Sequence, residues 1–340
     1  MLLLLLLYVL APAAAAGEIP AIIVFGDSSV DAGNNNQIPT VAKSNFQPYG
    51  RDFAGGKPTG RFCNGRIATD FISEAFGLRP FVPAYLDPAF NISDFATGVT
   101  FASAGTGYDN ATSGVLGVIP LWKQLDYYRE YQTRLRDHLG DWNALKTITE
   151  SVYIISIGTN DFLENYFAFP GGRRAQFSVE AYQDFLLSIA QGFVADLHGL
   201  GARKISLGGL PPMGCMPLER AENGRDCVEA YNIVALRFNA KLYDMVRSLN
   251  VGIPGLNLVF SDPYYTVLDL VRRPYDYGFE VSERACCATG TFEMGYACDS
   301  RNPLTCPDAS KYVFWDAFHP TEHTNGIVAD RVVRTTLSKF

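Results

Sequence analysis

Histidine is scarce in this chain, with four in 340 residues. Any reaction that needs an imidazole must draw on His138, His198, His319 or His323. Lysine-rich runs are missing, and the formal net charge is −7 with a pI near 5.2. An acidic chain without a basic tract is a poor match for nucleic acid or an anionic membrane surface, so neither is expected as a partner. The C-x-x-C spacing of thiolate metal clusters is absent. Past residue 16 nothing reaches the roughly 18 uninterrupted apolar residues of a membrane span, so no transmembrane anchor is expected. The charged C-terminus excludes the apolar tail of a GPI signal. Internal repeats, linkers and low-complexity blocks are lacking too, which leaves one domain over 17–340 as the simplest organisation.

What is present points to export. Leu2 to Leu10 form an apolar run, and Ala14-Ala15-Ala16 supplies the small residues of a cleavage site. Residues 1–16 therefore read as a secretory signal peptide, although no Lys or Arg precedes the run. Ser338-Lys339-Phe340 misses a peroxisomal S-K-L ending in its last residue. Seven cysteines follow the leader, and in an oxidising compartment an odd number leaves at least one unpaired. Cys215 and Cys227 bracket a short loop and are the first candidate bridge. Adjacent Cys286 and Cys287 are expected to bond outward, to Cys298 and Cys306. Two sequons, at Asn91 and Asn110, fit a secreted glycoprotein.

Hydrophobic residues make up 48% of the chain, ample for a core. Apolar runs at 21–25, 98–103, 151–157, 204–207 and 256–260 read as strands. Helical spacing covers 66–76, 119–139, 179–197 and 228–249, and a last helix is expected from Pro320 to about Leu337. In 119–139 the apolar positions are Trp122, Leu125, Tyr128 and Leu135. Strands alternating with helices imply βαβ units and a mostly parallel sheet. Two segments escape this pattern: the Gly/Pro/Asn-rich 33–60, expected to be surface loop, and 262–311, expected to be a disulfide-braced surface excursion.

Three strand ends carry groups for chemistry. The first run breaks at Gly26 and delivers Ser28, the second delivers Gly105, the third Asn160. Ser28 stands where the chain turns, with a helix start expected there to add N–H groups and a positive dipole end. The alternative is a capping serine with no reaction to perform. Ester hydrolysis by a serine requires a base, an orienter for the base and oxyanion donors. His138 and His198 lie near helix C-termini, where a cation is favourable without any function. His319 differs, because Asp316 sits three residues earlier and a turn can set its carboxylate against the imidazole Nδ1. Backbone N–H groups of Ser28 and Gly105, with the Asn160 amide, would complete a three-donor oxyanion hole. Asp27, Asp31 and Asp161 read as turn residues.

In these residues the chain resembles the GDSL, or SGNH, hydrolases. Gly26-Asp27-Ser28 with Asp31, Gly33, Asn34 and Asn35 is similar to block I, and Phe101-Ala102-Ser103-Ala104-Gly105 to block II. Gly158-Thr159-Asn160-Asp161 is similar to block III, and Asp316-Ala317-Phe318-His319-Pro320 to block V. Thr59-Gly60-Arg61-Phe62 and Pro211-Pro212-Met213-Gly214-Cys215 look like the plant secreted branch. Ser29 departs from the family name, which has Leu there. The resemblance implies a flavodoxin-like three-layer α/β/α sandwich with a mostly parallel five-stranded sheet. It implies Ser28, Asp316 and His319 as a triad, Ser28, Gly105 and Asn160 as oxyanion donors, no cofactor and no metal. It also implies a cell-wall or apoplastic location.

The expectation is thus a secreted serine carboxylester hydrolase working through an acyl-enzyme on lipid, cutin-like or acetyl esters. A catalytically silent binding protein on the same fold, or an acyltransferase using the same site, are the alternatives. Ser103 half matches a G-x-S-x-G elbow but has Phe101 at its first position. His319-Pro320-Thr321-Glu322-His323 formally matches the zinc motif H-x-x-E-H, yet Asp330 is the only carboxylate side chain after it.

Overall fold

A computed structural model describes residues 19–221 and 223–340, so the leader reading of 1–16 lies outside the described residues. Five strands form one sheet: β1 (Ile22–Gly26), β2 (Gly98–Thr100), β3 (Val152–Ser156), β4 (Lys204–Gly208) and β5 (Asn257–Ser261). All are parallel, in the order β2-β1-β3-β4-β5. The helices are α1 (Ala68–Ala75), α2 (Ile92–Phe95), α3 (Asn110–Leu116), α4 (Leu121–Leu139) and α5 (Asp141–Glu150). They continue with α6 (Val179–Gly199), α7 (Pro217–Ala221), α8 (Glu229–Gly252), α9 (Tyr264–Arg272) and α10 (Glu322–Thr335).

The layering follows from strand periodicity. In β1, Ile23 and Phe25 join a core with Tyr128 of α4, Val194 of α6 and Phe238 of α8. Ile22 and Val24 point the other way, into a second core with Ile72 of α1 and Ala329 of α10. Side chains alternate faces along a strand, so a strand apolar on every residue must be covered twice. The result is the three-layer α/β/α sandwich with the flavodoxin-like 2-1-3-4-5 order. Each fully buried Ile, Val or Phe of β1 contributes roughly 1.5–3 kcal/mol. Because β1 has β2 on one side and β3 on the other, the chain reverses direction across the sheet at its carboxyl end. Open α/β sheets bind ligands at that crevice.

Several expectations are corrected. No helix starts at Ser28; residues 27–30 form a turn, with the Val30 N–H on the Asp27 carbonyl at 3.2 Å. The Asp27 and Asp31 side chains take backbone N–H groups that a helix would have used. In α4, Leu121 is buried and Trp122 is exposed, so Trp122 is not part of the core stripe. The last helix starts at Glu322, capped by Thr321, and Pro320 precedes it in a bridge to Phe314. Region 262–311 contains α9 and β6 (Val281–Ala285), which pairs in parallel with β7 (Tyr312–Phe314). Region 33–60 is not all surface, since Asn34, Asn35 and Tyr49 are buried.

The bridges are Cys215–Cys227, Cys286–Cys306 and Cys287–Cys298. Both adjacent cysteines do bond outward. Cys63 keeps a buried free thiol, with burial holding its pKa well above the ordinary value.

Candidate active site

The end of β1 is built around a close approach. Gly26 has φ +144°, and a Cβ there would sit 1.9 Å from the Ser156 carbonyl oxygen of β3. Its backbone N–H and carbonyl are both met by the Gln124 side chain of α4, at 3.0 and 2.9 Å. Just beyond, Asp27 Oδ1 accepts the Ser29 N–H (2.9 Å) and Ser29 Oγ (2.7 Å). Ser29 Oγ also lies 2.8 Å from Ser156 Oγ. The residue that departs from the family name therefore ties the turn carrying Ser28 to the end of β3. Burial pushes Asp27 up to about 6, against the Ser29 hydrogen bonds that lower it.

The following loop holds the second strand end. Asp31 accepts the N–H groups of Gly33, Asn34 and Ala104 at 2.7, 2.8 and 3.0 Å. Asn34 Nδ2 donates to the carbonyls of Thr100 and Ala102, and Asn35 Nδ2 to that of Ala104. These bonds fix the chain up to Gly105, which has φ +85° and so favours glycine. Ser103 Oγ is engaged with Asn35 Oδ1 and the Ile119 N–H, a structural use. After β3, Asn160 is buried and its Nδ2 donates to the Thr106 carbonyl at 3.0 Å. Asp161 does more than turn the chain: its carboxylate accepts from Tyr108 N, Asp109 N and Thr112 Oγ1 at 2.8, 3.1 and 2.7 Å. Burial pushes its pKa up to about 7.

The third component arrives on a tight return from β7. The Trp315 N–H donates to the His319 carbonyl at 2.7 Å, and Thr321 N to Val313 O at 3.1 Å. Within this return Asp316 Oδ1 accepts the backbone N–H groups of Phe318 and His319, at 2.9 and 2.7 Å. His319 Nδ1 lies 2.8 and 2.9 Å from the two Asp316 oxygens. A nitrogen facing a carboxylate carries the proton, which leaves Nε2 as acceptor. Ser28 Oγ is 2.8 Å from that Nε2. Ser28, His319 and Asp316 thus form one hydrogen-bonded chain across 291 residues of sequence.

Sequence reasoning missed Tyr49. Its hydroxyl donates to Asp316 Oδ2 at 2.7 Å and accepts the Gly295 N–H at 2.8 Å. Burial, and the Asp316 charge beside it, hold the phenol neutral well above the ordinary range. The Phe62 ring packs on His319 at 4.9 Å. No local pattern in 33–60 pointed to Tyr49; Asn34 and Asn35 were at least visible in block I.

Two cavities meet at Ser28 and His319. One, of about 160 Å³, is walled by Pro212, Met216, Val267, Phe314 and Phe318. The other, of about 250 Å³, includes Gly105, Leu116, Met294 and Glu164. Asn160 lies at the neighbouring strand end and lines neither cavity. His323 turns elsewhere, with Nδ1 3.0 Å from the Ser310 carbonyl and its ring on Phe279. Among the described residues no three His, Cys, Asp or Glu side chains converge on a point that would suit a metal. His138 and His198 occupy the last turns of α4 and α6. Asn110 is exposed in the first turn of α3, and Asn91 caps α2 through Ser93.

The family model for GDSL-like lipase/acylhydrolase matches residues 22–332. The chain belongs to the GDSL lipase/acylhydrolase family. It is similar to the Arabidopsis thaliana protein GDSL esterase/lipase At2g04570, at 67% identity over 96% of this chain and 93% of that protein. Two further Arabidopsis relatives, GDSL esterase/lipase At4g26790 and At2g42990, are 62% and 60% identical, over 95% and 96% of this chain and 93% and 94% of theirs. The expected hydrolase family and sandwich fold are therefore correct. Among the described residues no helix of this GDSL protein is long and apolar enough to cross a membrane.

Proposed function

We propose that this GDSL family member is a secreted serine carboxylester hydrolase, with Ser28 as nucleophile, His319 as general base and Asp316 as its orienter. The observation that carries the reading is the unbroken Ser28–His319–Asp316 chain at 2.8 Å per link. His319 Nε2 takes the hydroxyl proton as Ser28 Oγ adds to the ester carbonyl. The tetrahedral oxyanion is met by the backbone N–H groups of Ser28 and Gly105 and by the Asn160 amide, whose second N–H is not the one given to Thr106. Collapse breaks the C–O bond, and the Nε2 proton goes to the leaving alkoxide. Water then repeats the sequence on the acyl-enzyme, with its proton taken and returned by the same imidazole.

Three disulfides support passage through an oxidising compartment. We assign 1–16 as the leader, 17–340 as the mature single domain, and Asn91 and Asn110 as glycan acceptors. The test is fluorophosphonate labelling of the purified protein, with the adduct located by peptide mass spectrometry. One adduct on Ser28, lost in His319→Ala, is expected; an adduct on Ser103, or ester turnover by Ser28→Ala, would overturn the assignment.

A further inference from the structure

Glu164 is a charged side chain at this site that the triad mechanism leaves unused. It lies in a π-helical turn, Asp161–Phe167, and lines the cavity that holds Ser28, Gly105 and His319. Much of the remaining wall is apolar, Val41, Phe62, Leu116 and Met294 among it. Its Oε2 is buried and meets no hydrogen-bond partner among the described residues. Three positions earlier, Asp161 shows how this fold treats a structural carboxylate: it is tied to three donors. A buried carboxyl oxygen without a partner costs the free protein stability, so its presence at a reaction cavity calls for a ligand that completes it.

The two cavities differ in chemistry. The cleft at Pro212, Met216, Val267 and Phe318 presents a largely apolar wall, and its Asp27, Ser29 and Ser156 side chains are already bonded to one another, so it suits an acyl chain. The Glu164 side holds the Gly105 end of the site and suits a group with hydroxyls. Resting on the serine-esterase reading, we infer that Glu164 selects the alcohol half of the ester: its carboxyl hydrogen-bonds a free hydroxyl on the alcohol moiety while the acyl chain lies in the apolar cleft. Burial also pushes the Glu164 pKa up to about 7, against the neighbouring His319 charge that lowers it. An un-ionised carboxyl both donates to and accepts from a hydroxyl.

The test uses the full mature chain and two esters with the same acyl group and alcohol carbon count, 1-monobutyrylglycerol and propyl butyrate. The ratio of their kcat/KM values, taken within one preparation, does not depend on the fraction folded. The parent protein is expected to favour the glyceryl ester, and Glu164→Leu to lower that ratio about tenfold. Glu164→Gln, which keeps a donor and an acceptor in place, should retain most of it. A parent ratio near one, or a ratio unchanged in Glu164→Leu because both substrates fall together, overturns the inference; the second outcome would mean that Glu164 acts through the His319 charge. A loss that follows a hydroxyl on the acyl chain, read with propyl 4-hydroxybutyrate, overturns the assignment to the alcohol half. Ser28→Ala separates the two levels: if it still turns over both esters, the Ser28-nucleophile reading fails whatever the ratio does.

Discussion

Tyr49→Phe removes a single oxygen from a fully buried ring. The packing that holds the ring survives, since Phe46, Phe62 and Trp315 contact its face and edges at 5.7, 5.8 and 6.1 Å. Two hydrogen bonds do not survive: the one given to Asp316 Oδ2 at 2.7 Å and the one accepted from Gly295 N at 2.8 Å. A hydrogen bond to a charged group is worth about 1.5–3 kcal/mol, and stranding a buried N–H costs about 1–3 kcal/mol. With some relaxation around Gly295 the stability loss should be about 2–3 kcal/mol. Asp316 keeps the N–H groups of Phe318 and His319 and the imidazole itself, so the carboxylate stays in place but loses a donor that fixes its rotation. Tyr49 is thus a positioning residue, and its loss should lower kcat about tenfold, equivalent to ~1.4 kcal/mol. It lines neither cavity, so KM should stay within about twofold. Urea titration reads the first quantity, and kcat and KM on a short-chain ester read the second. A destabilised variant with full kcat would reduce Tyr49 to packing, and a change in KM alone would refute its link to Asp316.

Three more outcomes follow from the same geometry. Asn160→Ala should lower kcat by about 10²-fold or more, and near-full turnover by a folded variant would remove Asn160 from the oxyanion hole. Gly26→Ala places a methyl group 1.9 Å from the Ser156 oxygen at φ +144°, and should leave little folded protein by circular dichroism and thermal melting. Glu164, held as the acid up to about 7 against an ordinary 4.5, adds stability that is complete below the unfolded value and is lost as pH rises through the folded one. Stability should therefore fall between about pH 4.5 and 7.5, by on the order of 2 kcal/mol from this group alone, and Glu164→Gln should flatten the curve of urea midpoints. Asp27, raised to about 6, adds a slope of the same sign, so the test is the difference between the two curves; parallel curves would refute the assignment.

Local chemistry was legible, and contacts across long sequence separations were not. Ile22–Phe25 reads as a strand because it is apolar on both faces, and it is buried on both. Asp316 and His319 are three apart, so their pairing follows from one turn. Tyr49 meets Asp316 across 267 residues, from a loop whose spacing carries no period, and no pattern reports such a contact. Trp122 failed for another reason: periodicity finds a stripe, but not which of two adjacent apolar residues occupies it. Leu121 does, in register with Leu125 and Tyr128. The helix expected at Ser28 failed because Asp27 and Asp31 compete for backbone donors at the place where the first turn would form.

The cysteine-rich stretch shows how a segment read as peripheral enters the chemistry. Cys286 N and Cys287 N donate to the carbonyls of Phe314 and Trp315, at 3.0 and 2.8 Å. Ala317 N returns a bond to Glu293 O at 2.9 Å, and Gly295 N holds the Tyr49 hydroxyl. The residues on either side of Asp316 are thereby tied to the stretch that the Cys286–Cys306 and Cys287–Cys298 bridges close. A disulfide acts mainly by limiting the unfolded chain, which makes it a device of stability. Here the same bridges also limit how far Gly295, and through it Tyr49, can drift from the Asp316 carboxylate. Reduction of these bridges is therefore expected to lower kcat on a short-chain ester, by loosening the Asp316 carboxylate through Gly295 and Tyr49, as well as to lower the urea midpoint.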